Sequence, residues 1–113
     1  MTVGSAHFNE HELACPHCHV ALARPKLLAL LERIRAEHGV PMPLRSAYRC
    51  PVHNAAVGGA KDSQHMYGAA ADIPPGRVSP ARAIELGATG VGIAGRDVVH
   101  VDVRDGSVTT WHY

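Results

Sequence analysis

The sequence predicts an α+β fold, a single small domain in which helices flank an antiparallel sheet. Apolar residues at helical spacing are concentrated in the first half of the chain, whereas short β-prone runs bounded by glycine and proline dominate the second half. A chain of 113 residues can bury one modest hydrophobic core but not two. We therefore interpret residues 1–113 as one domain, with a Cys- and His-rich N-terminal segment, residues 1–23, packed against it.

Capping residues and prolines mark the predicted helices. Asn9 and Glu12 have capping-box spacing, which predicts a short first helix. Pro25 suits the first turn of a longer helix and Gly39 its end. The apolar stripe of that helix predicts a core-facing side, formed by Leu27, Leu30, Leu31 and Ile34. Two further helices are predicted from Pro51 to Gly58-Gly59 and from Ser79-Pro80 to Gly87.

Five short runs are predicted to form strands. Pro41 and Pro43 favour an extended entry into the first of them. Asp105-Gly106 lies between the last two and predicts a hairpin that joins them. The five runs are residues 44–47, 69–73, 90–93, 98–103 and 108–111.

Charge and hydropathy exclude several classes of protein. The formal net charge of +1 gives no basic face for nucleic acid, and no apolar run approaches the roughly 20 residues of a membrane span. The first residues lack the basic and apolar regions of a secretory signal. We expect a monomer that is made in the cytoplasm without a signal peptide.

The most informative run spans residues 63–72 and reads S-x-H-x-x-G-x-A-x-D. It places an imidazole, His65, seven residues before a carboxylate, Asp72, and a second imidazole, His100, follows near the C-terminus. These three groups can supply three of the four positions around Zn²⁺, leaving the fourth open as in catalytic zinc sites.

This motif and its surroundings resemble the zinc D-Ala-D-Ala carboxypeptidase family, which includes related dipeptidases and phage L-Ala-D-Glu endolysins. The run Ser46-Ala47-Tyr48-Arg49-Cys50-Pro51-Val52-His53-Asn54 is similar to a second family segment, and Val98-Val99-His100-Val101-Asp102 to a third. The blocks follow the family's order over roughly residues 44–111. The resemblance implies the fold shared with the hedgehog signalling domain, one catalytic zinc at His65, Asp72 and His100, and a peptidoglycan peptide as substrate.

The resemblance also implies roles around the metal. Arg49 would stabilise an oxyanion or hold a substrate carboxylate, and Ser63, Gln64 and Tyr67 would contact substrate. Relatives carry either H-x-H or an acidic residue three positions before the last ligand; here Val98 replaces the first histidine, so Asp97 would be the general base. Strict strand alternation, however, places Asp97 on the face opposite His100 and Asp102 on the same face. If the strand begins after Asp97, the preceding turn at Gly95-Arg96 would instead bring Asp97 to the side of His100. We expect Asp102 to orient a ligand or Arg49.

A second constellation joins Cys15 and Cys18 to Cys50 and His53, in C-x-x-C and C-x-x-H pairs. It is competent to hold a structural zinc as Cys₃His, with His17 and His19 as alternative fourth ligands. The alternatives are a disulfide that leaves one thiol free, and three reduced cysteines; a cytoplasmic origin disfavours the disulfide.

Three functional interpretations follow. The first is a zinc peptidase that hydrolyses peptidoglycan stem peptides as a D,D-carboxypeptidase or an endopeptidase of endolysin type. Because that substrate lies outside the cytoplasm, this interpretation implies a phage or prophage origin and delivery by other proteins. The second is a non-catalytic zinc-binding module on the same fold, and the third is a phage structural component of the tail.

Overall fold

The computed structural model describes residues 3–113; Met1 and Thr2, part of the predicted N-terminal segment, lie outside the described residues. Within this range three helices precede the first strand and the last three strands follow one another without a helix, which confirms the α+β class. The helices are α1 (Glu10–Leu13), α2 (Pro25–His38), α3 (Pro51–Ala56) and α4 (Pro80–Leu86), with a 3-10 turn at Gln64–Tyr67. The strands are β1 (Ala70–Asp72), β2 (Gly90–Ala94), β3 (Asp97–Asp102) and β4 (Thr109–His112).

The four strands form one mixed sheet in the order β1-β3-β2-β4. β3 is antiparallel to both β1 and β2, whereas β4 is parallel to β2. The hairpin predicted at Asp105-Gly106 is therefore wrong. Both edges of β3 are already paired with β1 and β2. The chain therefore crosses the end of β2, and β4 pairs with the free edge of β2.

The predicted strand at residues 44–47 is also wrong. That segment forms a single antiparallel bridge, Ser46 with Asp72. The backbone N–H of Arg45 donates to the Asp72 carbonyl, 2.8 Å away, and the N–H of Asp72 donates to Ser46 at the same distance. The segment therefore passes the end of β1 as an extended loop, which places residues 45–49 beside Asp72.

Local chemistry explains the helix ends. The Asn9 side chain accepts from the N–H of Glu12 at 2.8 Å, as its capping position predicts. Glu12 does not return the bond of a capping box; its carboxylate accepts from the backbone N–H of Leu44 at 3.0 Å. Gly39 ends α2 with φ of 80°, a left-handed conformation that glycine adopts at little steric cost.

The hydrophobic core lies between the helices and one face of the sheet. The predicted stripe of α2 is fully buried there, and Val91, Val98 and Val101 face it from β2 and β3. Phe8 and Leu13 join the same core, so the N-terminal segment is packed on the domain. Among residues 3–113, no helix combines the length and the apolarity needed to cross a membrane.

Polar contacts also attach the N-terminal segment to α2. The Glu32 carboxylate accepts from the Ser5 hydroxyl at 2.6 Å and from the backbone N–H of His7 at 2.7 Å. The His7 ring lies 2.6 Å from the other carboxylate oxygen. These contacts hold the pKa of Glu32 below its ordinary value, although its partial burial acts in the opposite direction.

Candidate active site

Three side chains predicted as metal ligands converge at one end of β1. His65 is carried by the 3-10 turn, Asp72 ends β1, and His100 lies opposite Asp72 in the antiparallel register of β3. Both histidines are buried, whereas Asp72 is partly open to solvent. The sequence therefore brings together residues that are 35 positions apart through one turn and one strand pair.

The ligand atoms have the spacing of a metal site. Asp72 Oδ1 lies 3.2 Å from His65 Nε2 and 3.1 Å from His100 Nδ1. Ligands placed tetrahedrally about 2.05 Å from a zinc ion are separated by about 3.3 Å. Two imidazole nitrogens and one carboxylate oxygen are also ligand types that zinc prefers, so these residues fit the ion in chemistry and in geometry.

The remaining ring nitrogens are bound to buried acceptors. His65 Nδ1–H donates to the Ala47 carbonyl at 2.6 Å, and His100 Nε2–H donates to Asp102 at 2.8 Å. Each bond selects a tautomer, because the protonated nitrogen faces the acceptor and the lone pair faces Asp72. His65 would bind a metal through Nε2 and His100 through Nδ1.

Asp102 orients His100 rather than Arg49. Its side chain is fully buried, and the Arg104 guanidinium donates to both of its oxygens, at 2.9 and 2.7 Å. The carboxylate fits because Gly90 lies opposite it on β2, and a Cβ at that position would overlap both carboxylate oxygens. Asp102 and Arg104 thus form a rigid support beneath the His100 ring.

The electrostatics of the site favour ionised aspartates. Burial raises the pKa of Asp72, but hydrogen bonds from His100 and His65 outweigh it and lower that pKa well below its usual range. Burial likewise raises the pKa of Asp102, and the bonds from Arg104 and His100 again reverse the direction. For His100, burial lowers the pKa while Asp102 and Asp72 raise it, with a net increase. Both carboxylates are therefore held in the ionised form, which is the form in which Asp72 can bind a cation.

Arg49 is held against the metal-binding residues. Its Nη2 donates to Asp72 Oδ2 at 3.1 Å, its Nε to the Ser46 hydroxyl at 3.1 Å, and its Nη1 to Asn54 Oδ1 at 3.5 Å. Three of its five N–H donors are engaged in this way. The other two remain for a ligand in the adjoining cavity, which Arg49 lines.

A cavity of about 830 Å³ opens over the three candidate ligands. Ser63 and Gln64 line it, and the Ser63 hydroxyl also accepts from the N–H of His65 at 3.2 Å. Tyr67 does not line this cavity; its hydroxyl donates to Asp62 at 2.7 Å. Contact of these three residues with substrate stays a prediction.

Sequence reasoning missed the aromatic side of the cavity. Trp111 and Tyr113 line it, and the Trp111 ring lies 5.0 Å from the His100 ring, between centroids. The Arg104 guanidinium lies 5.0 Å from the Trp111 centroid, a cation–π contact. Alternation from His100 through Asp102 indicates the face of Arg104, but the position of Trp111 depends on the parallel pairing of β4.

Asp97 lies on the cavity face of the sheet because β3 contains a bulge. Gly92 pairs with His100 but Ile93 pairs with Val98, so Val99 has no partner on β2. Val98 is consequently buried in the core with Val101, and alternation restarts across the extra residue. Asp97 pairs with Ala94, and paired residues share a face; Ala94 lines the cavity. The bulge thus interrupts strict alternation and leaves Asp97, the first residue of β3, on the same face as His100, although Asp97 itself is not among the residues that line the cavity.

The cysteines form a separate cluster. Cys15, Cys18 and Cys50 come together with their sulfurs within 4.8 Å of one another. His53 contacts this cluster through its backbone, since its N–H donates to Cys50 Sγ at 3.4 Å.

Comparison with known proteins agrees with the geometry of the His65 site. Residues 5–102 match the family described as Peptidase M15. The matched range includes all three candidate ligands, Arg49 and Asp97. No curated protein matches the chain. Because the family match covers most of its length, the chain belongs to the peptidase M15 family of zinc metallopeptidases.

Proposed function

We propose that this protein hydrolyses peptide bonds in the stem peptides of peptidoglycan, as a D,D-carboxypeptidase or an endopeptidase. The observation that carries the proposal is the convergence of His65, Asp72 and His100 beneath an open cavity that also holds an arginine. A metal site with only a structural role has its coordination positions filled by protein groups. Here three protein groups face a cavity large enough for several amino-acid residues of a substrate.

The chain supplies the supporting groups for zinc chemistry. Zinc held by His65, Asp72 and His100 would polarise a scissile carbonyl and make a water molecule more acidic. Asp102 and the Ala47 carbonyl keep the two imidazoles oriented for this task. The two remaining donors of Arg49 point to a role in holding the oxyanion that develops on the scissile carbonyl, or a nearby carboxylate of the substrate.

Asp97 is the proposed general base. In this reaction it takes a proton from the water that attacks the carbonyl carbon and delivers it to the departing amine nitrogen as the peptide bond breaks. The bulge at Val99 supports this role, since it turns Asp97 to the cavity face of the sheet. Catalytic hydrogen bonds are often long before substrate binds, so a short approach to the peptide is expected only in the complex.

One arginine of the cavity wall is available for a carboxylate of the peptide, although Asp62, bonded to the Tyr67 hydroxyl, also lines the cavity. Arg49 and Arg104 each pair with an aspartate. Arg45 lines the same cavity, and within residues 3–113 it has no carboxylate partner. An unpaired guanidinium binds carboxylates through paired hydrogen bonds. Stem peptides carry such groups on acidic side chains and at the terminal D-Ala.

Digestion of purified peptidoglycan tests the proposal. We expect the zinc-loaded protein to release peptides or free D-Ala, identified by mass analysis, and we expect His65→Ala to release none. The masses assign the cleaved bond. If zinc-loaded protein leaves wall peptides intact while an unrelated peptide library is cut, the enzyme class holds and the substrate is wrong. If neither is cut, the protein is a non-catalytic zinc-binding module.

A further inference from the structure

We propose that Cys15, Cys18, Cys50 and His17 bind a second, structural zinc that attaches the N-terminal segment to the segment carrying Arg49. None of the four lines the cavity over His65. The three sulfurs lie within 4.8 Å of one another, and all three cysteines are free thiols. Sulfurs bound tetrahedrally about 2.3 Å from zinc are about 3.8 Å apart, so a small closure of the cluster would complete this arrangement.

Backbone N–H groups donate to two of the three sulfurs. Cys15 Sγ accepts from the N–H of Cys50 at 3.5 Å. Cys50 Sγ accepts from the N–H of His53 at 3.4 Å. Such donors stabilise a thiolate, which is the form of cysteine that binds metals. A cluster of three neutral thiols has no comparable need for them.

The turn that carries Cys15 and Cys18 is closed tightly. The N–H of Cys15 donates to the Val20 carbonyl and the N–H of His19 donates to the Cys15 carbonyl, both at 2.8 Å. His19 has φ of 63°, the only positive φ of a non-glycine residue between residues 3 and 113. A left-handed conformation costs such a residue about 1 kcal/mol. The strained residue belongs to the turn that places the sulfurs of Cys15 and Cys18 near the sulfur of Cys50.

The ring contacts favour His17 as the fourth ligand. His17 Nδ1 lies 3.6 Å from Cys50 Sγ, and its side chain is exposed and able to turn toward the cluster. His53, the first candidate from the sequence, contacts that sulfur through its backbone N–H, and within residues 3–113 its ring makes no hydrogen bond to the cysteines. Three cysteines and one histidine form a closed site of the structural type.

The position of Cys50 gives the second metal a consequence for catalysis. Cys50 directly follows Arg49 and caps the N-terminus of α3, which carries Asn54, a hydrogen-bond acceptor of Arg49. Fixing Cys50 to the turn at residues 15–18 would limit the movement of that peptide. The second zinc would therefore position Arg49 without contacting substrate, and this inference does not depend on which peptide the enzyme cuts.

Metal stoichiometry tests the second site separately from the first. Protein purified with Zn²⁺ under reducing conditions should contain about two equivalents of zinc, and His65→Ala and Cys18→Ser should each contain about one. The cobalt-substituted protein distinguishes the sites, since only Co²⁺ bound by thiolates shows sulfur-to-metal charge-transfer absorption. That absorption should persist in His65→Ala and disappear in Cys18→Ser. A wild type without sulfur-to-metal charge transfer, or charge transfer that survives in Cys18→Ser, would overturn the proposal; one equivalent with charge transfer would instead place the missing metal at the His65 site.

Two matched variants test the fourth ligand. His17→Ala should weaken zinc retention against a chelator by at least ~10-fold and alter the cobalt spectrum, whereas His53→Ala should leave both unchanged. The reverse result would exclude His17. An intact mass two daltons below the reduced value in the zinc-treated wild type would show a disulfide and overturn the site as a whole.

Discussion

In the site formed by His65, Asp72 and His100, each histidine has one ring nitrogen in position to bind a metal and the other hydrogen-bonded to a buried acceptor. For His100 the acceptor is Asp102, which Arg104 holds by two further bonds. The nearby Asp97 has no comparable set of partners in the described chain, although it lies on the cavity face. The Asp102 carboxylate is therefore fixed by its hydrogen bonds, whereas the Asp97 carboxylate is not. We expect substitutions at these two positions to have different effects.

We predict that Asp97→Asn lowers the rate of hydrolysis by ~10²- to 10⁴-fold, because the amide cannot accept a proton. The zinc content should stay at the wild-type value, since Asp97 touches none of the three ligands. Steady-state kinetics with a stem-peptide substrate, together with metal analysis, measures both. Substrate binding should change little, because the missing interaction belongs to the transition state.

Asp102→Asn is the matched control and should behave in the opposite way. Loss of the carboxylate removes the support of the His100 ring, so zinc affinity should fall by ~10- to 100-fold. Activity should recover when zinc is supplied in excess. If Asp102→Asn is inactive at full zinc occupancy while Asp97→Asn turns over normally, the roles of the two residues are exchanged.

We predict that Arg49→Lys lowers turnover by ~10²-fold or more, because a single ammonium cannot replace a planar group that contacts Asp72, Ser46 and the cavity at once. The protein should remain folded and retain zinc at saturating concentration. Circular dichroism, metal analysis and kinetics check these three points. Near-normal turnover would remove Arg49 from the mechanism.

At the scale of single residues, the three candidate ligands could be predicted because their identities and spacing are directly visible in the sequence. The partners of the ligands could not be assigned in the same way. The choice of Asp102 over other acceptors depends on the space left by Gly90, on the adjacent strand. Arg104 and Trp111 were missed because their roles depend on contacts between strands rather than on a motif.

At the scale of elements, one carboxylate, Glu32, accepts the hydrogen bonds that Ser5 and His7 of the N-terminal segment make to α2. We predict that Glu32→Gln destabilises the protein by about 1 kcal/mol at pH 7, the difference between hydrogen bonds to charged and to neutral acceptors. Because contacts in the folded protein lower the pKa of Glu32, its contribution is present above its unfolded pKa and is lost as the pH falls through the folded pKa. Urea unfolding of both proteins should show a gap at pH 7 that closes at acidic pH.

Glu85→Gln provides the control for that measurement. The Glu85 side chain is 63% exposed and pairs with Arg82 on the surface of α4. Its substitution should change stability by less than about 0.5 kcal/mol at either pH. A gap for Glu32→Gln that is the same at both pH values would show that the charge of Glu32 is not responsible.

Helix ends were predictable because Asn9, Ser79, Pro25 and Gly39 act on their immediate neighbours along the chain. Strand partners were less so. Asp105-Gly106 has the composition of a hairpin turn, but β1 and β2 already pair with both edges of β3. Which strand takes each edge cannot be predicted from the local sequence around the turn. The bulge at Val99 is a similar case, because apolar alternation gives no sign of an unpaired valine.

At the scale of the whole molecule, the α+β class followed from the order of helical and β-prone runs, and the structure confirms it. The site draws on a 3-10 turn, two adjacent strands and the loop that carries Arg49. The sequence indicated the two strands, but it predicted no 3-10 turn at residues 64–67 and a strand at residues 44–47, where the structure has an extended loop. The cavity wall required the tertiary arrangement, because it includes β4, whose place in the sheet was wrongly predicted.

β4 contributes to the cavity wall without supplying a candidate metal ligand. The family match ends at residue 102, whereas Trp111 and Tyr113 belong to the last strand and its end. β4 pairs only with β2, at the edge of the sheet, and contributes none of the three candidate metal ligands. A library that varies residues 109, 110, 112 and 113 but keeps Trp111, which contacts the His100 ring, would therefore change the wall of the cavity and leave the contacts of the candidate ligands in place.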